Sequence, residues 1–251
     1  MIPDAVRRNI IFPIACLLFL LSQFYRVSVA VITPDLIRDL SMDTRGLSLI
    51  SAAFYYAFAL MQIPISMYLD GIGPRMSMSV LSLIAVIGTV MFGLGDSLWI
   101  LVTGRIMMGI GMACSMMGTL KLITLWFTPR RFATLSALVF SLGGIGNLIA
   151  STPLVLMVQA VGWRNAFLII AGINLILTVL FYLIARDRPE SSVNRNIPKA
   201  ASTRIREIRI HLLRLFGEKD YWIISLGPFS RYGIYAAVQS LWAAPFLINV
   251  I

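Results

Sequence analysis

Acid is scarce in this sequence: 11 Asp and Glu stand against 21 Lys and Arg, and none of the acids falls inside the long apolar runs that make up most of the chain. Histidine occurs once, as His211, and cysteine twice, as Cys16 and Cys114, in separate apolar runs with no metal-ligand spacing. General acid–base or nucleophilic chemistry needs a carboxylate, imidazole or thiolate beside a partner group, and a metal centre needs a cluster of such groups. Neither pattern is present, and there is no Gly-Lys-Ser/Thr phosphate loop. The sequence therefore predicts no enzyme, no metal and no bound cofactor, and energy drawn from gradients rather than from a nucleotide. The cysteines read as small interior residues rather than a disulfide.

Charge of either sign is thin at 13%, against 59% apolar residues and a mean hydropathy of +0.86. A soluble fold needs more polar surface than that. The net charge of +10 would suit nucleic acid if it formed one patch. It is instead spread over alternate loops, which excludes nucleic acid as a partner and makes the lipid bilayer the solvent.

Seven apolar runs are each long enough to cross a hydrocarbon core of roughly 30 Å. Helix one is predicted from about Asn9 to Thr33, stopped by Pro34, and helix two from about Gly46 to Leu69. Helix three covers Met76 to Leu94 and helix four Leu98 to Phe127 as one continuous span. Helix five runs from near Phe132 to Val158, and Gln159 to Asn165 leads into helix six, which closes at Ala185. Helix seven starts near Tyr221. Arg7 and Arg8 ahead of an apolar stretch look like a secretory signal, but the run continues past Arg26 to Ile32, too long for one. The domains read as a six-helix bundle over 1–185, a basic linker over 186–220 and, over 221–251, the first helix of an incomplete carboxy-terminal bundle.

Cytoplasmic loops of membrane proteins carry an excess of Lys and Arg. With the amino terminus inside, 14 basic residues lie on the cytoplasmic side and three, Arg38, Arg45 and Arg164, outside; the remaining four of the 21 lie within spans. The predicted location is the cell's inner (cytoplasmic) membrane. In the linker, Ile205, Ile208, Leu212 and Leu215 or Phe216 recur at helical spacing among arginines, which points to an amphipathic helix at the cytoplasmic leaflet or docked on the bundle.

The order of segments resembles the amino-terminal half of a major facilitator superfamily transporter. Asp70-Gly71-Ile72-Gly73-Pro74-Arg75 is similar to the family's loop signature between helices two and three, matching at Asp70, Gly73 and Arg75; Gly71 stands at the usual basic position. Arg105 followed by Gly109, Gly111 and Ala113 resembles the helix-four signature. Trp126 to Ala133 and Gly162 to Phe167 resemble helix boundaries of the organic-anion symporter branch. The Gly-Pro-x-x-Gly-Gly of drug and proton antiporters is missing; Gly143 and Gly146 occupy that stretch and read as helix-packing residues. The resemblance implies an all-α integral membrane fold, cut here from a twelve-helix architecture. It also implies that Asp70, Gly73 and Arg75 govern a change of access state.

Charges inside spans are costly and mark cavities or partners. There are four, all positive: Arg26, Arg105, Lys121 and Arg231. By resemblance, helices one, four and seven line the pathway, which makes Arg26, Arg105 and Arg231 candidates for substrate contact; Arg105 reads equally as a packing residue bonded to helix-one carbonyls. Arg231, Tyr235, Gln239 and Trp242 form a stripe on helix seven, and Tyr25 lies beside Arg26. Lys121 is placed to snorkel to the headgroups. The expected function is secondary active transport of a small organic anion by alternating access, coupled to a proton or sodium gradient. The alternative is a proton-coupled exporter of apolar or cationic compounds.

Overall fold

The computed structural model describes residues 4–187 and 216–237, which belong to two units, 1–193 and 194–251. The first unit is built from seven helical segments: α1 (Asp4–Leu40), α2 (Thr44–Gly71), α3 (Pro74–Leu94), α4 (Leu98–Met112), α5 (Ser115–Trp126), α6 (Pro129–Ile149) and α7 (Thr152–Ile184). With α4 and α5 taken together, they supply six spans long and apolar enough to cross a membrane among the described residues. The second unit contributes α8 (Lys219–Ala237), which carries Pro228 and begins beside a cluster of Phe216, Tyr221 and Trp222.

Three boundaries differ from the sequence-based expectation. Pro34 does not end helix one, which runs on to Leu40. A proline removes one backbone donor, but the apolar register continues through Leu36, which is fully buried, and Arg38 closes the last turn onto Asp35 and Asp39 at 2.9 and 2.8 Å. Packing and terminal ion pairs outweigh the lost hydrogen bond. Helix four is not continuous: it breaks at Ala113 and Cys114. The carbonyl of Met112 at the break accepts hydrogen bonds from Ser115 at 2.7 Å and from Ser22 of α1 at 3.3 Å, which satisfy it without water. Finally, the loop expected between helices five and six shrinks to Gly162, whose φ of 80° breaks the helix, while a separate turn at Ala150 and Ser151 divides helix five.

Close approach of the helices depends on the glycines. A Cβ at Gly109 would fall 2.5 Å from the Phe54 carbonyl of α2, and one at Gly111 would strike the Leu81 carbonyl and Ala85 of α3. On α6, Gly143 faces Phe19 and Gly146 faces the Leu20 carbonyl of α1. Backbones at this separation gain dispersion contacts that larger side chains would forbid. Around these seams lie three apolar clusters, centred on Phe54, Phe92 and Phe167, on Ile11, Leu69 and Phe181, and on Phe19 and Val139. Leucine and isoleucine also face outward, Leu60, Ile63, Leu148 and Leu183 among them, as a chain solvated by lipid allows.

Candidate functional site

Arg26 of α1 and Arg105 of α4 are joined through two rings of α2. Phe54 and Phe58 lie one turn apart and stack with centroids 6.0 Å apart and planes 17° from parallel. The Arg26 guanidinium carbon stands 4.3 Å from the centroid of Phe58, and that of Arg105 4.6 Å from the centroid of Phe54. Each ring thus carries one cation, and the attraction between a cation and a ring's negative face strengthens away from water. Arg105 and Phe54 are fully buried, whereas Arg26 and Phe58 are half-buried, so the stack runs from the packed interior to an accessible rim.

Arg105 is held by more than its ring. Its Nη1 donates to the carbonyl of Tyr25 at 2.7 Å and its Nε to the carbonyl of Ile50 at 3.4 Å, tying α4 to α1 and α2. Tyr25 is fully buried, and its hydroxyl accepts from Thr89 of α3 at 3.1 Å. The structure therefore brings Tyr25 and Arg105 together, but inside the packing in this conformation. Ser82, Asn174 and Thr178 continue the buried polar chain between α3 and α7, with Ser82 3.0 Å from Asn174 Oδ1 and 2.7 Å from the Thr178 hydroxyl. Arg231 lies exposed on α8, Tyr235 falls on the same helix, and Gln239 and Trp242 lie outside the described residues, as does the proposed amphipathic segment of the linker.

The loop signature forms a second assembly at the amino-terminal end of the bundle. Asp70 pairs with Lys121 of α5 at 2.9 Å, so the lysine meets an acid there. Gly73 takes a φ of 93°, and a Cβ on it would fall 2.5 Å from Asp187 Oδ1. That carboxylate accepts the backbone N–H of Arg75 at 2.8 Å and so caps α3 from the far end of α7, since Gly73 has no side chain to do so. The Arg75 Nε donates to the Tyr182 carbonyl at 2.9 Å, with its guanidinium over the Tyr182 ring. Asp187→Ala is expected to cost about 1 kcal/mol, the usual loss for an N-cap, and Asp187→Asn less, read as the shift in thermal midpoint.

At the opposite end, Trp163 Nε1 donates to Asp39 Oδ2 at 2.9 Å and Arg164 pairs with Asp96 at 2.7 Å while bonding the Gly95 carbonyl. Sequence reasoning missed these ties, the cap from Asp187 and the role of Phe58. Only the last had a local signal: two phenylalanines at i and i+4 in a span whose neighbours carry arginine.

A cavity of about 320 Å³ lies between α2, α3 and α4, lined by Met61, Tyr68, Met76, Ser77 and Ile110 among others. None of the sequence-derived candidates lines it.

The spans of this helical bundle carry the cations Arg26 and Arg105 along their length, while Asp4, Asp35, Asp39 and Asp70 lie toward helix ends. The family model of the Major Facilitator Superfamily matches residues 14–250, and the chain belongs to that family. The probable sulfoacetate transporter of Cupriavidus necator is 30% identical over 183 residues, which are 73% of this chain and 43% of that protein. A probable L-galactonate transporter of Escherichia coli is 24% identical over 228 residues, 88% of this chain and 50% of the other. Among solved structures, a bacterial homologue of the human lysosomal transporter Spinster, inward-facing and unoccupied, superposes with a TM-score of 0.74 at 22% identity, covering 97% of this chain and 56% of that one. The likeness shows the fold: an all-α membrane bundle of the major facilitator type. The chain spans about half the length of the curated relatives it matches.

Proposed function

We propose that the protein is a secondary transporter of small organic anions, working by alternating access, with Arg26 as the side chain that meets the substrate. The observation that carries this reading is Arg26 itself, a half-buried cation over an aromatic ring in the middle of α1, while the acids of that helix, Asp4, Asp35 and Asp39, lie toward its ends. A guanidinium binds carboxylates through paired hydrogen bonds. The named substrates of the two relatives, sulfoacetate and L-galactonate, are both carboxylates, which supports the same class. Transport is driven by an ion gradient, proton or sodium, in the inner membrane with the amino terminus in the cytoplasm.

The test is a thermal-shift panel on the full-length protein with sulfoacetate, L-galactonate, phosphate, glucose and choline. A ligand that binds the folded state stabilises it according to its concentration relative to Kd. Stabilisation by the two carboxylates and not by choline is expected; stabilisation by choline alone would sink the anion reading and favour the cation exporter. For orientation, single cysteines in a cysteine-free background are expected to react with an impermeant reagent in intact cells at Asp39 and not at Ser192.

A further inference from the structure

We propose that the amino end of α1 holds a phosphate group, bound by Arg7 and Arg8 at the level where the bundle meets the lipid headgroups. Arg7 is only 7% exposed, and its Nε and Nη1, together with the Nε of Arg8, are buried without a hydrogen-bond partner among the described residues. A buried guanidinium whose donors are unmet is costly, and an acceptor of opposite charge removes the cost. The described acids at this end of the bundle do not supply one. Asp70 pairs with Lys121 at 2.9 Å, and Asp187 accepts the backbone N–H of Arg75. Asp4, in the first turn of α1, does not reach the three nitrogens.

Helical spacing puts the two arginines on neighbouring faces of α1. Ile11, one turn beyond Arg7, packs in the cluster of Leu122, Trp126 and Phe181, where α1 meets α5 and α7. Arg8 turns toward α6: its guanidinium carbon lies 5.3 Å from the centroid of the Phe127 ring, which also meets Phe12 edge-on at 5.7 Å. Phe127 leads directly into α6, whose N-cap Thr128 makes no side-chain capping bond and whose first turn carries Arg130 and Arg131, both exposed. Backbone N–H groups left open at a helix start favour an anion, and the two further arginines add charge beside them. Because α1 and α6 both begin at this end, their positive dipole ends act in the same sense as the four arginines.

The spread of the donors selects the ligand. A carboxylate has two oxygens and suits one guanidinium fork, whereas a phosphate offers more acceptor oxygens in a tetrahedral array and can bridge two arginines and a helix start. Arg7 stands just ahead of the apolar run that begins at Ile10, so it sits at the membrane surface, where basic pockets between helices take lipid headgroups. The same chemistry would hold a phosphate from solution. Arg26 lies further along α1 by about 28 Å of helix axis, so this site is separate from the proposed substrate contact.

The test takes the full-length protein in an uncharged detergent, stripped of lipid, and reads the thermal midpoint as phosphatidylglycerol, diacylglycerol or inorganic phosphate is added at constant ionic strength. Phosphatidylglycerol is expected to raise the wild-type midpoint, and diacylglycerol, which shares the acyl chains but not the phosphate, to raise it far less. Arg7→Gln is expected to weaken phosphatidylglycerol binding at least about tenfold, yet to melt no lower than wild type in lipid-free detergent, because an unmet buried charge has gone. Arg7→Lys, which keeps the charge without the fork, should bind between the two. A full response to inorganic phosphate assigns the site to a soluble phosphate, and a response to the lipid alone assigns it to the leaflet. Arg26→Ala is expected to keep the response; a response lost there and kept in Arg7→Gln would put the phosphate at Arg26 and overturn the site. So would a wild-type midpoint that neither lipid nor phosphate moves, diacylglycerol matching phosphatidylglycerol, or Arg7→Gln lowering the midpoint equally with and without lipid. Glu190 lies outside the described residues and gives the last control: if Glu190→Gln destabilises the lipid-free protein and Glu190→Gln with Arg7→Gln does so no further, the chain's own carboxylate meets Arg7 and the inference fails.

Discussion

Arg105→Ala is expected to reduce folded protein in the membrane at least about tenfold and to leave the residue that folds with a thermal midpoint well below wild type. Truncating a large, fully buried side chain costs roughly 3–5 kcal/mol where the neighbours cannot collapse. The neighbours here cannot: Gly104, Gly109 and Gly111 already bring α4 against the backbones of α2 and α3. Two hydrogen bonds between helices go with the side chain, each worth of the order of 1 kcal/mol in a membrane bundle. The ring of Phe54 also loses its cation. Arg105→Lys offers one nitrogen, able to reach the Tyr25 carbonyl but not to serve Ile50 as well, and should fall between wild type and alanine. The measurement is fluorescence-detected size-exclusion yield and thermal midpoint, set beside transport per folded molecule. An alanine variant with normal yield and midpoint but lost substrate affinity would give Arg105 to the substrate, the other role the sequence allowed it.

That ambiguity shows what was and was not legible in the sequence. The bilayer as solvent, the six-span bundle and the family followed from the length of the apolar runs and from signatures at Asp70, Gly73, Arg75 and Arg105, because burial in lipid demands long uninterrupted apolar segments. The turn at Gly162 fell within the predicted boundary for the same reason. What stayed hidden depended on contacts between residues far apart in the chain. The break at Ala113 and Cys114 has no proline and no polar run to announce it; it is permitted by a hydroxyl from α1 ninety positions away. Asp187 reads as the start of a basic linker, and only the fold shows that it caps α3. Among the candidate site residues, Tyr25 and Arg105 lie together, but their polar atoms are engaged with helix carbonyls and Thr89. A sequence gives the cost of burying a charge and not which neighbour offsets it.

Arg26→Ala is expected to reduce anion uptake about a hundredfold while folded yield stays within about twofold of wild type. Removing one member of a desolvated, hydrogen-bonded charge pair costs roughly 2–5 kcal/mol, and about 2.7 kcal/mol is a hundredfold in affinity. The yield is spared because Arg26, unlike Arg105, is half-buried at a rim, and a small residue there leaves Phe58 stacked on Phe54. Arg26→Lys retains a charge but not the planar fork, and is expected to lose about tenfold. If the anion is held by Coulomb attraction alone, lysine should do nearly as well as arginine, so the gap between the two variants reports the geometric part of recognition. Uptake of labelled sulfoacetate and L-galactonate into vesicles, normalised to folded protein, provides the comparison. Equal and undiminished uptake in both variants would place Arg26 in the packing and remove the side chain on which the anion site is built.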